Sequence, residues 1–173
     1  MSSFTVDNNA VLRSLYKSTD SKLTKKSARQ EAAKPKLIFS DTSALRKGIK
    51  ALADEDYGDE DEDDSKITKA DFYKKMKAFA DSYNYTVESS SSYSTKDTRE
   101  ALRKMKKLVN QYSDDLDNLG VTFDDDGYMT LSESAFDNID EAKFESSFGK
   151  DSDFMNQLDS IAKKLNRHID VQA

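Results

Sequence analysis

The sequence predicts a mostly α fold, an elongated antiparallel helical hairpin or coiled coil carrying one small β-hairpin. Three observations lead there. Leu102, Met105, Val109, Tyr112, Leu116 and Leu119 recur at alternating steps of three and four, the spacing of a coiled-coil seam. Gly120 then stops the helix, and Val121-Thr122-Phe123 and Met129-Thr130-Leu131 flank an Asp126-Gly127 turn in the pattern of a hairpin. Five glycines and one proline in 173 residues supply few of the tight turns that a barrel, a sandwich or a phosphate-cradling loop needs.

The first predicted helix runs from about Asn8 to Lys34, with Val11, Leu12, Leu15, Tyr16 and Leu23 as its apolar positions. Pro35 ends it and makes a corner. Leu37-Ile38-Phe39 reads as a short extended run, and Ser40 or Asp41 then caps a second helix carrying Leu45, Ile49 and Leu52. Residues Asp54 to Asp64 hold nine carboxylates in eleven positions, and their mutual repulsion favours a solvated loop.

From Thr68 to about Ser90, Phe72, Met76, Phe79, Tyr83 and Val87 form a helical stripe rich in aromatics. The serine-rich link around Ser89 to Ser94 is short enough to fold this helix back onto the heptad helix, about Thr95 to Leu119. Phe72, Met76, Phe79 and Tyr83 then meet Leu102, Met105, Val109, Tyr112, Leu116 and Leu119 in one interaction seam. A lone hairpin is marginal in water, so Val121 to Leu131 should lie against helices. Beyond it, Ser132 or Ser134 starts a helix through Phe136, and Phe144 and Phe148 form an apolar pair before Gly149. The last helix, Ser152 to about Ile169, carries Phe154, Leu158, Ile161 and Leu165. The whole reads as one domain: a basic helical part at 1–53, an acidic loop at 54–66, and the hairpins and terminal helices at 67–173.

A chain that is 36% hydrophobic and 35% charged has a thin core, and long helices suit it. With no cysteine and a single His168, disulfides, thiolate zinc sites and cysteine nucleophiles are excluded, and no catalytic, cofactor-binding or metal site is predicted. Asp124, Asp126, Gly127 and Glu133 fall at positions three, five, six and twelve of a calcium loop, yet the neutral Thr122 stands at position one between strand-like residues, which favours a plain turn. Asp114-Asp115, Asp137 with Asp140 and Glu141, and Asp151 with Asp153 read as caps or solvated faces. His168, near the carboxyl end of the last helix, suits the helix dipole and a structural role.

No run approaches the roughly 20 apolar residues of a membrane span, and the amino terminus lacks the pattern of a secretory signal. The net charge of −6 is uneven: residues 1–50 hold eleven Lys and Arg against four Asp and Glu. That basic third lacks interleaved aromatics and glycines, and the whole chain is acidic, so nucleic acid is not the predicted partner.

The segment from Phe72 to Leu165 resembles the carboxyl-terminal region of the flagellar filament-cap family, the hook-associated protein 2 family. Phe79-Ala80-Asp81-Ser82-Tyr83-Asn84 is similar to that family's Tyr-Asn helix segment, Leu119-Gly120-Val121 with Asp126-Gly127-Tyr128-Met129-Thr130-Leu131 to its hairpin, and Phe136 and Phe148-Gly149 to its closing helix. The chain has no length for the family's outer β domains and no long coiled coil after Leu165, so the resemblance implies a reduced relative that keeps the helical stalk. It implies a non-catalytic flagellar or surface-filament component, extracellular, packing against itself or flagellin-like helices. The residues alone also allow a cytoplasmic adaptor or export chaperone whose Phe72-Met76-Phe79 stripe grips a partner helix, and calcium-modulated binding at the incomplete loop.

Overall fold

The computed structural model of the chain describes residue 29 and residues 32–55, 69–138 and 140–170. The chain divides into two units, Met1–Ala33 and Lys34–Ala173. The boundary falls before the first long described helix. Nearly all of the predicted helix over Asn8–Lys34 and of the acidic run lies outside the described residues.

In the second unit the helices are α1 (Lys34–Ala53), α2 (Lys69–Ser92), α3 (Lys96–Gln111), α4 (Ser113–Asp117), α5 (Glu141–Phe148) and α6 (Asp153–Asp170). Between α4 and α5 stand β1 (Val121–Phe123), β2 (Met129–Leu131) and a 3-10 turn at Glu133–Asn138. The fold is mostly α with one small antiparallel hairpin, as the sequence predicts.

Four helices make a ring: α1 packs on α2 and α6, and α3 packs on α2 and α6. Neighbours run antiparallel, since Arg46 of α1 meets Asp159 of α6, Glu100 of α3 meets Lys164 of α6, and Lys34 of α1 donates to the Ser92 carbonyl at the end of α2. The α2–α3 hairpin is therefore half of a four-helix bundle. Each of its helices has a further partner, α1 for α2 and α6 for α3, which the serine link could not reveal.

Two local expectations change. Leu37-Ile38-Phe39 is helical, with Ile38 fully buried, and α1 begins at Lys34. Pro35 sits in the first turn of that helix, where its missing N–H would have had no partner, so it opens α1 and makes no corner there. The heptad helix is broken at Tyr112, whose N–H is shared between the Leu108 and Val109 carbonyls. Ser113-Asp114-Asp115 then start α4, residue types whose side chains suit a helix beginning better than its middle.

Caps fix the remaining boundaries. The Thr95 hydroxyl accepts from the Thr98 N–H at 3.2 Å while the Thr95 N–H donates to the Thr98 hydroxyl at 2.8 Å. Asp140 accepts from the Lys143 N–H at the start of α5, and Ser152 from the Met155 N–H at the start of α6. Gly149 closes α5 through a bond to the Glu145 carbonyl, making Phe144 and Phe148 neighbours on one turn of helix.

The larger core lies at the end of the bundle where the hairpin, the 3-10 turn and α5 cross from α3 to α6. Phe72 meets Phe144 edge-on at 5.0 Å between ring centroids, Phe79 meets Phe148 at 6.1 Å, and Phe148 meets Phe154 at 6.2 Å. A smaller cluster of Ile38, Ala101, Leu165 and Ile169 closes the opposite end.

Candidate interaction site

Of the predicted seam, Phe72, Met76, Phe79, Tyr83, Met105, Val109, Leu116 and Leu119 are buried in one core, and Leu102 and Tyr112 lie half-buried at its margin. The structure thus brings all ten together, but against elements of this chain. Phe136 and Phe144 cover Phe72, and Phe148 covers Phe79. Tyr112 packs edge-on against Phe154 and its hydroxyl accepts from the Gln157 side-chain amide at 3.3 Å. Among the described residues, Tyr85 is the one large apolar side chain well exposed, at 45%.

The hairpin docks on α2 through two adjacent residues. Tyr83 meets Phe123 edge-on at 5.6 Å between centroids. Asn84 faces β2: its amide nitrogen donates to the Met129 carbonyl at 2.9 Å and its amide oxygen accepts from the Met129 N–H at 2.7 Å. One side chain thereby satisfies both backbone groups of a strand residue, as a neighbouring strand would. Burial first, and then the Asp124 carboxylate, raise the Tyr83 phenol above its ordinary range. Sequence periodicity marked Tyr83 and passed over Asn84, a half-buried polar residue beside the apolar stripe.

The turn between the strands closes on itself. The Asp124 carboxylate accepts from the Tyr128 N–H at 2.8 Å, and the Asp124 carbonyl accepts from the Gly127 N–H at 2.9 Å. Gly127 has a φ of 87°, the left-handed backbone expected of it. Among the described residues no group of three or more His, Asp or Glu side chains is placed to hold a metal ion. The chain matches no known protein family, no curated protein and no solved structure with which it was compared.

Glu100 and Lys164, which the sequence did not single out, tie α3 to α6. Glu100 accepts from Lys104 at 2.7 Å and from Lys164 at 3.4 Å. These two hydrogen bonds, that of Lys104 first, hold its carboxyl at about 2, below the ordinary range. One turn away His168 lies 3.5 Å from Asp97, so its ring faces a carboxylate of α3 as well as its own helix end. The Asp140 carboxyl is likewise lowered by the Lys143 side chain and then its N–H, which accounts for this acid as a cap. A polar cleft of about 590 Å3 opens between α4, α5 and the start of α6, lined by Tyr112, Asn118, Lys143, Ser147, Asp151 and Asp153. No described helix is long and apolar enough to cross a membrane.

Proposed function

We propose that the chain is a non-catalytic structural or protein-interaction module, a flagellar or surface-filament component of the kind the filament-cap resemblance implies. One observation carries the reading. Two of the segments that carry the resemblance, Phe79–Asn84 and the hairpin, are far apart in sequence and are joined by the ring contact of Tyr83 with Phe123 and by the hydrogen bonds of the Asn84 side chain to the Met129 backbone. Residues that resemble one family in separate motifs also form one piece of structure, which is the expectation for a shared unit.

The non-catalytic part of the proposal is supported by the occupations of Asp140, Asp124 and Glu100, which serve as a cap, a turn closure and an interhelical ion pair. The adaptor alternative is weaker on this geometry, because the Phe72-Met76-Phe79 stripe that would grip a client is filled by the chain's own Phe136, Phe144 and Phe148. With that stripe inward, contacts to other proteins fall to polar surfaces and backbone edges.

Antibody detection of the native protein in cytosol, culture medium and sheared surface filaments tests the proposal. Recovery with filaments or medium is the expected result. Confinement to the cytosol would overturn the filament reading.

A further inference from the structure

Of the five glycines, Gly127 alone follows an aspartate or asparagine. The pair is chemically distinct. A main-chain nitrogen can attack the side-chain carboxyl of the aspartate before it and close a five-membered ring, and a side chain on the attacking residue crowds that approach. Asp126-Gly127 is the one place in the sequence where an aspartate carboxyl stands next to a nitrogen without that hindrance.

The fold leaves this pair accessible. Asp126 is exposed in the turn between β1 and β2. The Asp124 carboxylate is engaged by the Tyr128 N–H at 2.8 Å, whereas that of Asp126 meets no hydrogen-bond donor among the described residues. Where Gly127 would carry a Cβ there is open space for 4 Å. The Gly127 N–H is held by one bond, to the Asp124 carbonyl at 2.9 Å, and the tip of a two-stranded hairpin belongs to the readily opened parts of a fold. Two other aspartates precede a small residue in a contrasting setting. Asp81-Ser82 lies inside α2 and Asp159-Ser160 inside α6, where helical hydrogen bonding fixes the backbone and keeps the following nitrogen from turning onto the carboxyl.

We propose that Asp126-Gly127 is a self-modification site, at which the chain slowly converts Asp126 to isoaspartate and so loosens the hairpin from α2. In the first step the Gly127 nitrogen bonds to the side-chain carboxyl carbon of Asp126 in its acid form. The amide proton and the carboxyl hydroxyl leave as water, and the product is a succinimide. Water then adds to the main-chain carbonyl of Asp126 and breaks the bond from that carbon to the Gly127 nitrogen. The main chain now runs through the former side chain, one methylene longer, and the former main-chain carbonyl has become a free carboxylate. The water lost is regained, so the mass is unchanged and no co-reactant is required. The longer turn displaces the closure of Asp124 on Tyr128, and Met129, which Asn84 holds through both backbone groups, stands two residues beyond the altered bond. This inference goes beyond the interaction-module reading and does not depend on it.

The full chain is aged for several weeks at body temperature and neutral pH, digested, and searched for isoaspartate by electron-transfer fragmentation. The expected result is a peptide of unchanged mass and shifted retention with isoaspartate at position 126, and less of the product at Asp81 and Asp159. Asp126→Glu keeps the charge at an exposed position, but its ring would be six-membered, so the shifted peptide should be lost. In the aged protein the modified fraction should exchange its Met129 amide about tenfold faster than fresh protein, while Met105 in the bundle core keeps its rate. The proposal is overturned if isoaspartate at position 126 is no more abundant than at Asp81 and Asp159. It is equally overturned if the shifted peptide persists in Asp126→Glu, which would place the change at Asp124 or Asp125, or if Met129 exchange is the same in modified and fresh protein.

Discussion

The side-chain amide of Asn84 completes the backbone hydrogen bonding of Met129, giving and accepting one bond each at 2.9 and 2.7 Å. The pair is partly buried, so both Met129 groups lose water as well as their partner if the amide is removed. Asn84→Ala is expected to cost about 1–3 kcal/mol. Hydrogen exchange at the Met129 amide should accelerate more than that at Met105 in the bundle core. Equal acceleration at the two would show that Asn84 does not hold the hairpin locally.

Two glycines of the hairpin region separate backbone strain from steric exclusion. Gly120 (φ 73°) and Gly127 (φ 87°) both adopt left-handed backbone. A Cβ at Gly127 would meet nothing within 4 Å, whereas one at Gly120 would collide with the Ala135 Cβ. Gly127→Ala should cost about 1 kcal/mol, the penalty of the conformation alone. Gly120→Ala adds overpacking against the 3-10 turn, for about 2–4 kcal/mol in all. Thermal melts of the two variants should rank them in that order; equal melting temperatures would contradict the close approach at Ala135.

Val109 is 4% exposed and belongs to the main core. Val109→Asp puts a carboxylate into an apolar cluster, and the expected loss is at least about 3 kcal/mol, enough to melt the bundle. Retention of the wild-type melting temperature and oligomeric state by this variant would refute the packing of α3 into the bundle.

The elements that the sequence announces are those whose signals are local. Phe72 to Val87 and Phe154 to Ile169 mark α2 and α6 by spacing alone, and Asp126-Gly127 marks the hairpin because its turn needs a residue tolerant of positive φ. The misplaced features depend on residues distant in the chain. The break at Tyr112 accompanies packing on Phe154 and bonding to Gln157, more than forty positions on, so the heptad pattern runs through it unbroken. Leu37-Ile38-Phe39 looks extended by composition and becomes helical where Ile38 joins Leu165 and Ile169. Of the candidate site, the apolar seam was visible as periodicity. Its partners were not, because Phe136, Phe144 and Phe148 belong to short elements with too few apolar positions to define a face.

The α3–α6 contact should weaken in acid through Glu100. Its carboxyl sits at about 2 because Lys104 and Lys164 bond its charged form, against an unfolded carboxyl near 4.3. A group whose folded value is depressed contributes its full share of stability above the unfolded value and loses it as pH falls toward the folded one, so the window runs from about 4.5 down to about 2. Glu100→Gln has no proton to gain there. Wild type should therefore melt higher than Glu100→Gln at pH 7, and the difference should narrow steadily below pH about 4.5 and nearly vanish near 2. High salt at neutral pH should narrow it as well, since the lysines that bond Glu100 are well exposed to solvent. Other carboxyls titrate in the same range, Asp140 among them, but they are common to both proteins and leave the difference unchanged. A gap between the two melting temperatures that stays constant from pH 7 to 2.5 would mean that the ion pairs of Glu100 do not bind α3 to α6.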